Sequence, residues 1–152
     1  METQLKLIIG SDLSGYDLKT ELLRRMRAHG YDITDAGCGS SQEGDYPVYA
    51  AKVAKAVVAG EYDRGIVICG TGQGITMAAN KVRGARAALC YERFTALMAR
   101  EHNHANVLGM GSWLLTADQA EQVVEAFLFG KEAHLPRHEA RIQMMRELEE
   151  ER

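Results

Sequence analysis

Apolar runs and amphipathic stretches alternate along the whole chain. LKLIIG (5–10) is a short strand pattern, and 16–30 carries Leu18, Leu22, Leu23 and Met26 at helical spacing with Gly30 placed to end the helix. A second strand is predicted over 31–37, followed by a Gly/Ser-rich loop over 37–45. Pro47 then opens a helix whose apolar side reads Val48, Ala51, Val53, Ala54 and Val57. GIVIC (65–69) is apolar throughout, as a strand buried on both faces requires. Shorter strand patterns at 85–90 and 106–111 flank ERFTALMAREHN. Thr116 and Gln119 form a capping box ahead of the next helix, and a last helix runs from Pro136.

This alternation predicts βαβ units and a parallel sheet with helices on both faces. Residues 1–152 read as a single domain without repeats or linkers. In such sheets ligands lie beyond the carboxyl ends of the strands, so the residues after 10, 37, 69, 90 and 111 should share the functional edge. No strand follows the last helix, which is therefore free to pack on a partner subunit.

Composition narrows the classes. A net charge of −3 offers no electrostatic footprint for nucleic acid or an acidic membrane surface. No apolar run approaches a membrane span, and METQLKLIIG is too short in apolar residues for a signal peptide. Three cysteines, Cys38, Cys69 and Cys90, form no CxxC pair and read as reduced thiols of a cytoplasmic protein.

The candidate chemistry centres on ICGTGQGITMAANK (68–81). Gly70, Gly72 and Gly74 follow a strand and precede a helix, where bare N–H groups can point at an anion. The dinucleotide fingerprint fails because Ile75 stands where its third glycine belongs, and no Lys-Ser or Lys-Thr completes a P-loop. A cysteine phosphatase would need arginine at the same position 75. The loop thus suits a small phosphate or an oxygen gaining negative charge, or else is only a tight turn. Cys69 at its mouth is a base or nucleophile helped by the helix N-terminus, or a small buried hydrophobe. Thr71 is placed to donate to an oxyanion, or serves the turn.

Elsewhere, Asp12 lies on the predicted edge and either binds sugar hydroxyls or caps the next helix. Asp45 and Tyr46 are similarly ambiguous. His102, Asn103, His104 and Asn106 gather proton-transfer and hydrogen-bonding groups ahead of the last strand, though such residues are ordinary at a helix C-terminus. His134 and His138 are four apart but Pro136 interrupts them, so no metal and no cofactor is assigned. Arg137 and Arg141 share a face of the tail helix, either solvated or waiting for an anion.

Taken in order, GSDLSG, DYP, CGTGQG with AANK, HNHANVLGMG and RHEAR resemble the ribose-5-phosphate isomerase type B / galactose-6-phosphate isomerase (LacAB) family over nearly the whole chain. The resemblance implies a Rossmann-like three-layer α/β sandwich built on a five-stranded parallel sheet, and a homodimer or homotetramer with its active site at the subunit interface. It also implies metal-free aldose–ketose isomerisation of a phosphorylated sugar through a cis-enediolate, ribose 5-phosphate to ribulose 5-phosphate first among the substrates. Galactose 6-phosphate, erythrulose 4-phosphate, a non-catalytic sensing domain or a need for a paralogous partner subunit are the alternatives. By position, Cys69 would move the proton between C1 and C2, and Thr71 with Gly70, Gly72 and Gly74 would stabilise the enediolate. His102 would open the ring, Asp12 and Asn103 would hold hydroxyls, and Arg137 and Arg141 would reach the phosphate of the partner's substrate. Two positions depart from the pattern: Leu13 replaces a histidine and Trp113 an arginine.

Overall fold

The computed structural model describes residues 4–40 and 44–152, so positions 41–43 of the predicted Gly/Ser loop lie outside the described residues. The elements run β1 (Lys6–Ser11), α1 (Tyr16–Ala28), β2 (Asp32–Gly37), α2 (Tyr46–Val58), β3 (Arg64–Cys69), α3 (Gln73–Ala79), β4 (Ala87–Leu89), α4 (Arg93–Asn103), β5 (Val107–Gly111), α5 (Ala117–Phe129) and α6 (Pro136–Glu150). All five strands are parallel, in the order β2-β1-β3-β5-β4. No helix among the described residues is long and apolar enough to cross a membrane.

Successive strand side chains point to opposite faces, and both faces are buried. Leu7, Ile9, Ile66, Ile68, Leu108 and Met110 pack with the apolar stripes of α1, α4 and α5. Ile8, Val67, Cys69 and Val107 point the other way, against Ala50, Val53, Ala54 and Val57 of α2 and Ile75 and Ala79 of α3. This parity puts the Cys69 sulfur on the α2/α3 side. Val48, expected on the buried side of α2, lies in its first turn and is 61 % exposed; Ala50 is buried instead. Thr116 and Gln119 do form the capping box.

From β1 the chain moves outward to β2, then returns to place β3 on the other side of β1. The crossovers therefore diverge at β1 and β3, and a crevice opens beyond their carboxyl ends. Ser11, Asp12 and Cys69 stand there.

Lys19, at helical spacing with Leu22, Leu23 and Met26 on the apolar stripe of α1, is fully buried with them. Its Nζ donates to Asp35 Oδ1 at 2.7 Å and to the Cys38 carbonyl at 2.6 Å. Removing one partner of a buried ammonium leaves its desolvation uncompensated. Asp35→Ala is expected to cost about 1–3 kcal/mol in urea unfolding, the lower part of the range for buried charges because Asp35 is itself 38 % exposed. Lys19→Met, which removes the charge with little change in volume, should cost less.

Candidate active site

Immediately after β3 the backbone turns through Gly72, whose φ of 80° is left-handed and which forms the N-cap of α3. A Cβ there would lie 2.7 Å from the Met110 carbonyl carbon, so only glycine fits. The turn brings the Gly72 N–H onto the Cys69 sulfur at 3.1 Å. Thr71 Oγ1 accepts from the Gln73 N–H at 3.3 Å, which leaves the hydroxyl hydrogen to donate elsewhere.

Neighbouring loops are stitched to this turn. Asp12 N–H donates to the Ile68 carbonyl at 3.2 Å, Ser112 N–H to that of Cys69 at 2.9 Å, and Trp113 N–H to that of Gly70 at 2.9 Å. Asp12 also accepts the Gly15 N–H at 3.0 Å, using one of its two carboxylate oxygens to cap the turn. Missing side chains at Gly70 and Gly74 make room for rings: a Cβ would come within 2.6 Å of Trp113 and 2.8 Å of Tyr46. Tyr91 donates its hydroxyl hydrogen to the Thr71 carbonyl. The result is a fixed floor of Cys69, Thr71 and loop N–H groups, with Tyr46, Tyr91 and Trp113 beside it. Tyr46 was legible only as an ambiguous residue before a helix, and Tyr91 not at all. Leu13 and Trp113, 49 % and 73 % exposed, leave an apolar rim open to solvent.

The remaining candidates lie elsewhere. α4 starts near the carboxyl edge and returns across the sheet; its 11 residues span about 16 Å. His102 and Asn103 end it, so they stand at the opposite edge from Cys69. There the His102 ring stacks on His138, with centroids 4.5 Å apart and planes 16° from parallel. Arg137 and Arg141 flank His138 on α6. Each chain thus carries two separate groups: Asp12, Cys69, Gly70, Thr71, Gly72 and Gly74 at one edge, and His102, Asn103, Arg137 and Arg141 at the other.

His138 was missed by sequence, where it stood only as the unsuitable mate of His134; its position between the two arginines was the available signal. Burial pushes its imidazole below the ordinary value, and His102, Arg137 and Arg141 add to the shift. Its Nε2 is buried without a hydrogen-bond partner among the described residues. As pH falls through about 6.5 the unfolded chain takes up this proton before the folded one does, so stability falls with acidification over that window. The unfolding midpoint should drop between pH 7.5 and 5, and drop less in His138→Gln. Cys90, by contrast, is a packing residue: burial pushes its thiol up to about 11.

Comparison with known proteins gives consistent likenesses. Residues 7–145 match the family model described as Ribose/Galactose Isomerase. The chain is 42% identical over 147 residues to ribose-5-phosphate isomerase B of Escherichia coli, covering 97% of this chain and 98% of that one. It superimposes on the Clostridium thermocellum ribose-5-phosphate isomerase B with a TM-score of 0.93 at 45% identity, over 97% of this chain and 99% of that one. A Mycoplasma genitalium ribose-5-phosphate isomerase B solved with bound ribulose-5-phosphate gives a TM-score of 0.90 at 35% identity, over 99% and 100% of the two chains.

Proposed function

Since this chain belongs to the ribose/galactose isomerase family, we propose that it interconverts ribose 5-phosphate and ribulose 5-phosphate through a cis-enediolate. The observation that carries the reading is the Cys69 sulfur at the β1/β3 crevice, held by the Gly72 N–H with the Thr71 hydroxyl alongside. In the open-chain sugar Cys69 takes the proton from C2, and the electron pair moves to O1. Thr71 and the N–H groups of Gly70 to Gly74 meet the negative oxygen where it develops. The proton then returns to C1 while the O2 hydroxyl proton passes to O1, leaving the ketose. His102 moves protons in ring opening, Asp12 and Asn103 hold hydroxyls, and no metal takes part.

Because the two groups lie at opposite edges of one sheet, a working site needs two copies. His102, Asn103, Arg137 and Arg141 of one protomer complete the floor of its partner. The open apolar rim at Leu13 and Trp113 supports this arrangement, as does an α6 that exposes Met144 and Leu148. A phosphate of about −1.5 to −2 charge finds its match in two guanidiniums. With Leu13 and Trp113 where the family pattern has histidine and arginine, the tail arginines carry that task.

The test is incubation of the purified chain with aldose and ketose phosphates of four to six carbons in D₂O, followed by NMR. Ribose 5-phosphate should convert fastest, with deuterium entering beside the carbonyl. Faster conversion of a tetrose or hexose phosphate would reassign the substrate. No conversion and no exchange across the panel would overturn the stand-alone isomerase.

A further inference from the structure

One group of donor atoms lies outside both half-sites. His104 closes α4 in the left-handed conformation, φ 48° and ψ 41°, and is buried. Its Nε2 is 3.2 Å from the Ala133 carbonyl oxygen. A carbonyl only accepts, so Nε2 carries the hydrogen, and Nδ1 of the neutral ring is a lone pair. That lone pair faces Glu132 Oε2 at 3.7 Å. His134 repeats the pattern: its Nδ1 is 2.6 Å from Glu139 Oε1, which leaves Nε2 as a lone pair 3.7 Å from the same Glu132 Oε2. Three acceptors converge, all within 4.8 Å of one another. With both rings neutral, acceptors so placed repel unless a metal ion stands between them.

We propose that His104 Nδ1, Glu132 Oε2 and His134 Nε2 bind a divalent cation of the zinc class. Two imidazoles and a carboxylate suit zinc, whereas calcium and magnesium prefer all-oxygen shells. Tetrahedral zinc, with bonds near 2.0–2.1 Å, sets its ligand atoms about 3.4 Å apart, so the two 3.7 Å separations need only slight closure. The outer shell is present: Ala133 and Glu139 hold the second ring nitrogens, and Arg100 Nη2 holds Glu132 Oε1 at 3.1 Å. His134 is exposed, giving the ion a way in and a water the fourth position. Bound there, the ion ties the end of α4 to the segment that leads into α6, and so fixes the stem from which Arg137 projects. It takes no part in the proton transfers.

The test titrates chelator-stripped full-length chain with ZnCl₂ against a chromophoric chelator, and separately with CoCl₂ followed by visible absorption. One zinc per chain is expected, with a higher unfolding midpoint and cobalt d–d bands free of thiolate charge transfer. His134→Ala, 67 % exposed in the parent and so harmless to folding, should lose at least 100-fold in zinc affinity and the thermal shift. Glu139→Gln should weaken binding about 10- to 100-fold. Substoichiometric zinc, unchanged affinity in His134→Ala, or a cobalt–thiolate band would each overturn the site. The readouts are independent of isomerase turnover, so failure here and failure of the proposed function are distinguishable.

Discussion

Cys69→Ala is expected to lose about 10²–10⁴-fold in kcat, the range removed with a positioned acid or base. Solvent deuterium should stop entering the sugar in parallel. The variant should still fold, since Cys69 contributes a small side chain at the end of a strand whose neighbours Val67 and Ile68 remain buried. Its sulfur accepts from the Gly72 N–H, while the Ser112 N–H bonds its backbone carbonyl and survives the substitution. Cys69→Ser separates acid–base chemistry from geometry: a hydroxyl keeps the acceptor but is a far weaker base, so turnover should stay low while substrate binding persists. Retained conversion with retained exchange in Cys69→Ala would remove the cysteine from the mechanism.

A mixture of two inactive variants should recover activity. Cys69→Ala keeps an intact His102, and His102→Ala keeps an intact Cys69, in sites that on the proposed reading are shared across a two-fold axis. A hybrid dimer then holds one fully wild-type site and one doubly defective site. Random exchange of subunits makes half the dimers hybrid, so the mixture should regain about one quarter of wild-type turnover. His102 is exposed, so its loss leaves the core untouched. Absence of recovery under conditions that exchange subunits would show that the two residues do not act together across protomers.

Much of the architecture was legible from the period of the apolar residues. β3 was recognisable because burial on both faces demands an unbroken apolar run, and α5 because Thr116 and Gln119 cap it. The floor of the candidate site was legible because Gly70, Gly72 and Gly74 break the pattern between strand and helix. What stayed hidden depends on pairs distant in sequence. Lys19 falls on the buried stripe of α1 by its spacing, but the partners that make its burial tolerable, Asp35 and the Cys38 carbonyl, come from distant segments that the spacing does not encode. His104 meets Glu132 and His134 across the whole of β5 and α5, and the sequence neighbours His134 and His138 part company: His134 meets His104, and His138 stacks on His102. The separation of Cys69 from His102 follows from strand direction: one residue ends a strand, while the other ends the helix that has already returned.

That separation makes turnover a matter of mass action. On the proposed reading a lone chain is catalytically void, since it holds Cys69 and His102 at opposite edges of its sheet and lacks the partner's half of each site. Below the dissociation constant of the pair, the rate would rise with the square of chain concentration rather than in proportion to it. Abundance alone would then set a threshold on flux, with no effector and no change of fold required.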